Sequence, residues 1–214
     1  MKIALIGYGK MGHMIEQMAL SRGHDIVARI DLDRNEWDKL KEADVAIEFT
    51  TPMTAKDNIL RAWEYHLPVV SGTTGWGVEP LKTGLGDNAL IWSSNYSIGV
   101  NILFALNKQL AALIKPYPQY TPSITETHHI HKLDKPSGTA KTLAQQIGDN
   151  VPIESIREGE IPGIHTVTWD SDVDTISLTH SAKSRAGFAL GAVLAAEWII
   201  GRKGYHDFSE VIGL

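Results

Sequence analysis

The chain contains no cysteine. That absence excludes disulfides, thiolate zinc sites and a cysteine nucleophile, and it fits a reducing compartment. No stretch approaches the ~20 consecutive apolar residues of a membrane-spanning helix, so no membrane partner is expected. A charge excess of either sign is also missing. Twenty Lys and Arg stand against 25 Asp and Glu, a net charge of -5, which argues against broad nucleic-acid binding. Internal repeats and low-complexity segments do not occur. The opening stretch Met1-Lys2-Ile3-Ala4-Leu5-Ile6 is too short for a secretory leader and runs straight into glycines with no cleavage site, so it reads as a buried strand. A cytoplasmic protein is the expectation.

What is present is enough for a sizeable core. With 214 residues, 43 % of them hydrophobic, the chain permits one large domain or two small ones without staples. Ile3 to Ile6 is a short apolar run, as expected of a strand covered on both faces. Gly7-Tyr8-Gly9-Lys10-Met11-Gly12 follows, and Met11, Ile15, Met18 and Ala19 then recur at helical spacing up to Gly23. Ile26 to Ile30 reads as a second strand, Val45 to Phe49 as a third, Pro68 to Ser71 as a fourth and Leu90 to Ser93 as a fifth. A helix from Ala55 to Tyr65, with Thr54 as N-cap, separates the third from the fourth. This alternation predicts a mostly parallel sheet flanked by helices. Beyond about Ser94 the pattern changes. Ile98 to Ile114 reads as a long amphipathic helix, and Ser123–His129, Gly163–Asp170 and Thr175–His180 as β-like runs. Helices are expected over Ser137–Ile147 and Ala186–Ile200, and the last can pack on either half.

The glycines divide the work of a dinucleotide fingerprint. Gly7 allows a tight turn, Gly9 lets the backbone approach a pyrophosphate, and Gly12 lets helix and strand pack closely. The helix N-terminus then offers its unpaired N–H groups to the anion. Asp31, 19 positions after Gly12 and at the end of the next strand, is placed to accept from the hydroxyls of an adenosine ribose. A purely structural turn with a solvated Asp is the alternative. Thr73 and Thr74, and Ser93 to Tyr96, fall at the carboxyl ends of strands, where open α/β sheets bind ligands; taken alone they are equally well ordinary capped turns.

The densest chemistry lies in Glu126-Thr127-His128-His129-Ile130-His131-Lys132-Leu133-Asp134-Lys135-Pro136-Ser137-Gly138-Thr139-Ala140. Three of the nine histidines fall within four positions and a lysine follows directly. A helix start at Ser137-Gly138-Thr139 adds a site of carboxylate size. A proton donor, a cation and an anion cradle are what a reductase of a dicarboxylate needs. The alternatives are a metal site, a solvated Lys132 and a plain N-cap at Ser137. Metal is not expected, because only His129 and His131 share a strand face and no HExxH spacing appears.

The string from His128 to Ala140 closely resembles the signature of dihydrodipicolinate reductases, enzymes of the diaminopimelate route to lysine. Gly7 to Gly12 resembles that family's nucleotide turn, Phe49-Thr50 and Pro52 its third-strand end, Gly72-Thr73-Thr74-Gly75 its nicotinamide loop, and Asn95 to Asn101 its interdomain hinge. His180, Ser184-Arg185 and Phe188 resemble the return to the first domain. The resemblance implies an α/β Rossmann-type nucleotide domain over residues 1–96, plus an α+β substrate domain with a mixed open sheet over 97–185. The segment 186–214 would return to the first. His128 would be the general acid, and Lys132 a cation or proton donor toward the substrate. His129, Gly138 and Thr139 would hold substrate carboxylate. Gly7, Tyr8, Gly9, Lys10, Met11, Gly12, Asp31, Gly72, Thr73, Thr74, Ser93, Ser94, Asn95 and Tyr96 would hold the cofactor. A homotetramer built through the substrate domains is implied as well. The reaction implied is hydride transfer from NADH or NADPH to a cyclic imine dicarboxylate. Leu32, where dual-cofactor members carry arginine after the acid, points to NADH as the preferred donor. The chain departs from the commoner members in its compressed stretches Asp31–Val45 and Ile147–Gly163 and in a shorter glycine turn. Two rival functions are another two-domain NAD(P)-dependent dehydrogenase, such as one acting on an amino acid, and a nucleotide-binding relative without turnover.

Overall fold

A computed structural model describes all residues, 1–214, and the chain forms two compact units. The first comprises Met1–Ser97 with Ala186–Leu214, and the second Ile98–Arg185. No helix is long and apolar enough to cross a membrane.

In the first unit, six strands form one parallel sheet: β1 (Lys2–Ile6), β2 (Asp25–Ile30), β3 (Val45–Glu48), β4 (Val69–Ser71), β5 (Ala89–Trp92) and β10 (Gly204–His206). Their order is β10-β5-β4-β3-β1-β2. Ala4, Ile6, Ala28, Ala46, Val69 and Leu90 join Ile59, Ala62 and Trp63 of helix α2 (Ala55–Glu64) in one apolar cluster. Alternation sends Ile3, Leu5, Ile47 and Ile91, all at most 1 % exposed, to the opposite face. Helix α1 (Lys10–Ser21) and helix α6 (Ala186–Ile199) pack on one another, and α6 also contacts β3, β4 and β5. The near-uniform apolarity of α6 thus has its reason: its helix is buried on most of its circumference. At Gly191 a Cβ would sit 1.8 Å from the Tyr96 carbonyl oxygen, so only glycine permits this approach.

The register aligns the strand ends. Ile6 pairs with Ile30 and Glu48, Glu48 with Ser71, and Ser71 with Trp92. Because every strand is parallel, Gly7, Asp31, Phe49, Gly72 and Ser93 leave the sheet along a single edge. Several short elements of this unit carry no strong sequence pattern: a 3-10 turn at Trp37–Glu42, helix α3 (Glu79–Thr83), β10, and helix α7 (Phe208–Val211), which Asp207 and Glu210 close with a reciprocal capping box. Thr54 precedes α2 but its side chain does not cap it; the hydroxyl bonds to Thr50 and Thr51 instead.

The second unit has a mixed sheet in the order β7-β6-β8-β9. β6 (Thr121–His128) runs parallel to β7 (Ile153–Arg157) and antiparallel to β8 (Ile164–Asp170), which is antiparallel to β9 (Thr175–Ser181). Helices α4 (Ile98–Ile114) and α5 (Gly138–Ile147) cover one face through Leu103, Ile114, Ala140 and Leu143, which meet Ile124, Val167 and Trp169.

Candidate active site

The aligned edge of the parallel sheet forms a pocket of about 420 Å³ lined by Gly9, Lys10, Met11, Phe49, Thr50, Pro52, Gly72, Thr73 and Thr74. The glycines of the first turn separate cleanly in role. Gly7 has φ +94°, and a Cβ there would lie 2.0 Å from the Phe49 carbonyl oxygen; a Cβ on Gly12 would lie 2.5 Å from the Gly7 carbonyl oxygen. Both are required by the protein's own packing. Gly9 faces open space, with nothing within 4 Å of a built Cβ. It stands as N-cap of α1 with no side-chain cap and no acidic residue in the first turn. That is a cradle shaped for close approach of an anion such as a pyrophosphate.

Asp31 is partly engaged within the turn. One carboxylate oxygen accepts from the Tyr8 amide at 2.7 Å and the other from the Leu32 amide at 2.8 Å. Each oxygen keeps a second lone-pair direction for a ribose hydroxyl. Arg29 is ion-paired with Glu16, which also accepts from the Tyr8 hydroxyl. The Arg34 guanidinium lies 4.9 Å from the centre of the Tyr8 ring.

Under Thr73 lies a group that sequence reasoning missed. Glu48 is wholly buried, and its carboxylate accepts from the Thr50 amide and hydroxyl, from Ser71 Oγ at 2.6 Å and from Thr73 Oγ1 at 2.8 Å. The Thr50 amide also donates to Thr73 Oγ1 at 2.8 Å. One acid thereby fixes two segments that line the pocket. Its signal was available: a glutamate in an otherwise apolar strand end must find donors. Tyr96, by contrast, belongs to the core. It is 1 % exposed, donates to the Ser71 and Ile91 carbonyls, and packs against Phe49 and Phe208. Its side chain therefore offers no cofactor surface. Ser93 Oγ is tied to the Asn95 backbone in a local turn.

In the second unit the end of β6 carries the chemistry. Ile124, Glu126 and His128 alternate onto the buried face, as do His165, Val167 and Trp169 on β8. The strand ends at His128, so His129 and His131 lie in the following turn rather than on a strand face; their ring centres are 6.1 Å apart. The cluster that forms is a different one: Glu126, His128 and His165. His128 Nδ1 approaches Glu126 Oε2 to 2.8 Å, off the line of a hydrogen bond, and the His165 ring stands edge-on to His128 at 5.0 Å. Glu126 Oε1 accepts from the Ser137 amide at 3.2 Å and from Arg157 Nη2 at 3.0 Å. Burial opposes ionisation of Glu126, but hydrogen bonds from Ser137, Ser155 and Arg157 outweigh it and hold the carboxyl at about 2. Burial moves His128 below the ordinary histidine value, with Glu126 opposing and Lys132 and Arg157 assisting. His165 is pushed to about 4, first by burial and then by His128. The three side chains have the donor set of a metal site, with ligand atoms within 4.8 Å of one another. Arg157 already supplies the carboxylate with its cation, and a proton-handling cluster is the reading its charge favours.

Lys132 pairs with Asp134 at 2.6 Å. Arg157 straps this turn to the sheet by donating to the carbonyls of Lys132 and Asp134. Ser137 is the N-cap of α5, its hydroxyl accepting from the Ala140 amide and lying 3.2 Å from His165 Nε2. Gly138 opens the helix with nothing within 4 Å of a built Cβ, as Gly9 does on α1. His129 Nδ1 is buried without a partner. Arg157 and His165 were not singled out in the sequence. His165 had a signal, since it alternates in phase with Val167 and Trp169 and so had to fall on a core face.

An anion cradle at a parallel strand edge and a buried acid–base cluster beside a second helix N-terminus define a nucleotide-dependent oxidoreductase. Sequence comparison narrows the class. Residues 1–96 match the family "Dihydrodipicolinate reductase, N-terminus", and residues 99–212 match "Dihydrodipicolinate reductase, C-terminus". The chain is 44 % identical to the 4-hydroxy-tetrahydrodipicolinate reductase of Christiangramia forsetii, over 99 % of this chain and 98 % of that one. It is 36 % identical to the enzyme of the same name from Staphylococcus haemolyticus, over 99 % and 100 %. The fold matches a dipicolinate-bound dihydrodipicolinate reductase from Paenisporosarcina sp. TG-14 with a TM-score of 0.80 at 21 % identity, over 99 % and 98 % of the two chains. The chain belongs to the dihydrodipicolinate reductase family, whose members are NAD(P)H-dependent oxidoreductases.

Proposed function

We propose that this protein reduces 4-hydroxy-tetrahydrodipicolinate, or its dehydrated ring, to tetrahydrodipicolinate in the diaminopimelate route to lysine. The observation that carries this reading is the buried pair His128–Glu126, set on the same carboxylate as the amide at the head of α5. Gly9, Lys10, Met11, Gly72, Thr73 and Thr74 would hold the cofactor on the first unit. A reduced nicotinamide supplies the hydride. On the second unit, the α5 amino end with Gly138 and Thr139, together with His129, would receive a substrate carboxylate. Lys132, released from Asp134 by a competing carboxylate, would balance its charge. His128 would deliver the proton that follows reduction of the conjugated bond. Dihydrodipicolinate synthase product supplied with NADH or NADPH should give loss of reduced-cofactor absorbance. Cofactor binding with no oxidation in the presence of that substrate, or faster turnover of an amino acid with the oxidised cofactor, would remove the reading.

NADH is the donor this sequence favours. A 2′-phosphate beside Asp31 would meet its carboxylate at close range, and Leu32 offers it no donor side chain. Arg29 is already neutralised by Glu16, which leaves Arg34 as the cation nearest the ribose edge. The expected result is a higher kcat/KM for NADH in the wild type and a narrower ratio in Asp31→Ala, each tenfold corresponding to about 1.4 kcal/mol. Arg34→Ala should depress NADPH use more than NADH use. Equal ratios in wild type and both variants would overturn the assignment. The protein is proposed to act as a homotetramer joined through the sheets of its second unit.

A further inference from the structure

Glu126 is the node of the second unit's polar cluster. Its Oε1 receives the Ser137 amide and the Arg157 guanidinium; its Oε2 faces His128 Nδ1 at 2.8 Å and His165 Nε2 at 3.9 Å. The residue is fully buried, so each of these contacts acts with little screening by water. We propose that Glu126 is the positioning residue of the acid: it holds His128 with Nδ1–H toward the carboxylate, leaves Nε2 as the atom that carries the transferable proton, and ties that histidine to the head of α5. The proposal rests on His128 being the acid and adds which of its nitrogens acts and what sets it.

Three observations support it. First, His128 Nδ1 has no aligned hydrogen-bond partner, and the carboxylate at 2.8 Å is its nearest charge. A lone pair on Nδ1 would sit 2.8 Å from an anion, whereas an N–H there would be stabilised by it, which selects the tautomer. Second, the opposite nitrogen is kept clear. A side chain on Gly163 would begin 3.0 Å from His128 Nε2, and glycine leaves that space open. Third, the charges around His128 balance only with Glu126 present. Lys132 from the following turn and Arg157 from β7 oppose its protonation, while Glu126 on its own strand and Asp134 favour it. His165 on β8 is kept neutral, with His180 on β9 acting against its charging too, and the nearest contact from α5 is the Ser137 amide and hydroxyl. Removing the Glu126 carboxylate leaves two cations against Asp134 alone, the weakest of the four influences, beside an imidazole that must become charged to act as an acid.

The test is nitrogen NMR of the imidazoles in the full chain, with pH–rate profiles. In wild type His128 should be the Nδ1–H tautomer when neutral. In Glu126→Gln its protonation midpoint should move to lower pH, by about one to two units for loss of a contacting opposite charge. The alkaline limb of kcat should move the same way, while KM for the cofactor stays constant. Glu126→Asp should restore the limb toward its wild-type position. A wild-type Nε2–H tautomer overturns the proposal, and that result does not depend on any variant folding. An unchanged midpoint in Glu126→Gln overturns it as well. If His128→Gln kept its kcat, the acid reading itself would fall, whereas the tautomer would still report on Glu126.

Discussion

At the scale of residues, His128 has conflicting requirements. As the proposed acid it must carry a proton, yet burial moves it below the ordinary histidine value. Binding of a dianionic substrate would resolve the conflict, because its carboxylates would favour the imidazolium. The pH dependence should therefore split. The alkaline limb of kcat/KM, which reports the free enzyme, should lie below 6.5, and that of kcat should lie at higher pH. Coincident limbs would show that substrate charge does not reach the histidine. His128→Gln should lower kcat by ~10²–10⁴-fold, the usual share of general acid catalysis, with little change in Tm. A variant with wild-type kcat would exclude His128 from the reaction.

At the scale of elements, two glycines of the turn between β1 and α1 predict opposite kinds of damage. Gly7→Ala forces a Cβ into the Phe49 carbonyl and should destabilise the first unit, read as a lower denaturation midpoint. Gly9→Ala meets no atom of the protein, so it should fold normally and lose affinity for NADH in titration. Equal effects of the two on stability would refute the division. The sequence displayed the first unit well because its strands are continuous apolar runs and its turns are glycine-bearing. β7 was missed because it lies at a sheet edge, where Ile153 to Arg157 alternate between half-buried and exposed. β10 was missed because Gly204–His206 is too short to show a period. In the candidate site, His128, Lys132 and Ser137 were legible because they are adjacent in sequence. Glu126 and His165 meet only through the β6–β8 register, which places them directly opposite one another, and no spacing along the chain encodes that pairing. The same cluster governs acid stability. An unfolded chain binds a proton at His165 near 6.5, whereas the folded one resists it down to about 4, so stability is lost as pH falls through that interval. Glu126 adds a second loss as pH falls from 4.5 toward about 2. His165→Gln should flatten the first part of a pH–denaturation curve; a curve unchanged in shape would show that His165 is not the group.

At the scale of the whole molecule, the second unit's sheet uses only one of its faces for helices. On the other face the register assembles rows of small hydroxyl residues: Ser123, Thr168 and Ser177 in one, Thr125, Thr166 and Thr179 in the next. Thr166 and Thr179 already share a hydrogen bond across the row at 3.0 Å. The row beyond begins with Ile156, 37 % exposed, beside Thr127. Threonine methyls and short hydroxyls make a flat surface suited to face-to-face packing with another sheet, and Glu154, which heads the second row on β7, is a charge that a facing sheet must pair or leave at its rim. A free-standing four-stranded sheet with such a face and an exposed edge at β9 would invite uncontrolled pairing, and a closed symmetric assembly removes that hazard. A homotetramer should therefore appear in light scattering at micromolar concentration, at four times the 23.5 kDa chain mass. Thr166→Arg with Thr179→Arg would place like charges across the row and against any facing sheet, so the double variant should run as a smaller species that still binds NADH through its first unit. A wild-type monomer, or a double variant of unchanged mass, would show that these rows are not the contact.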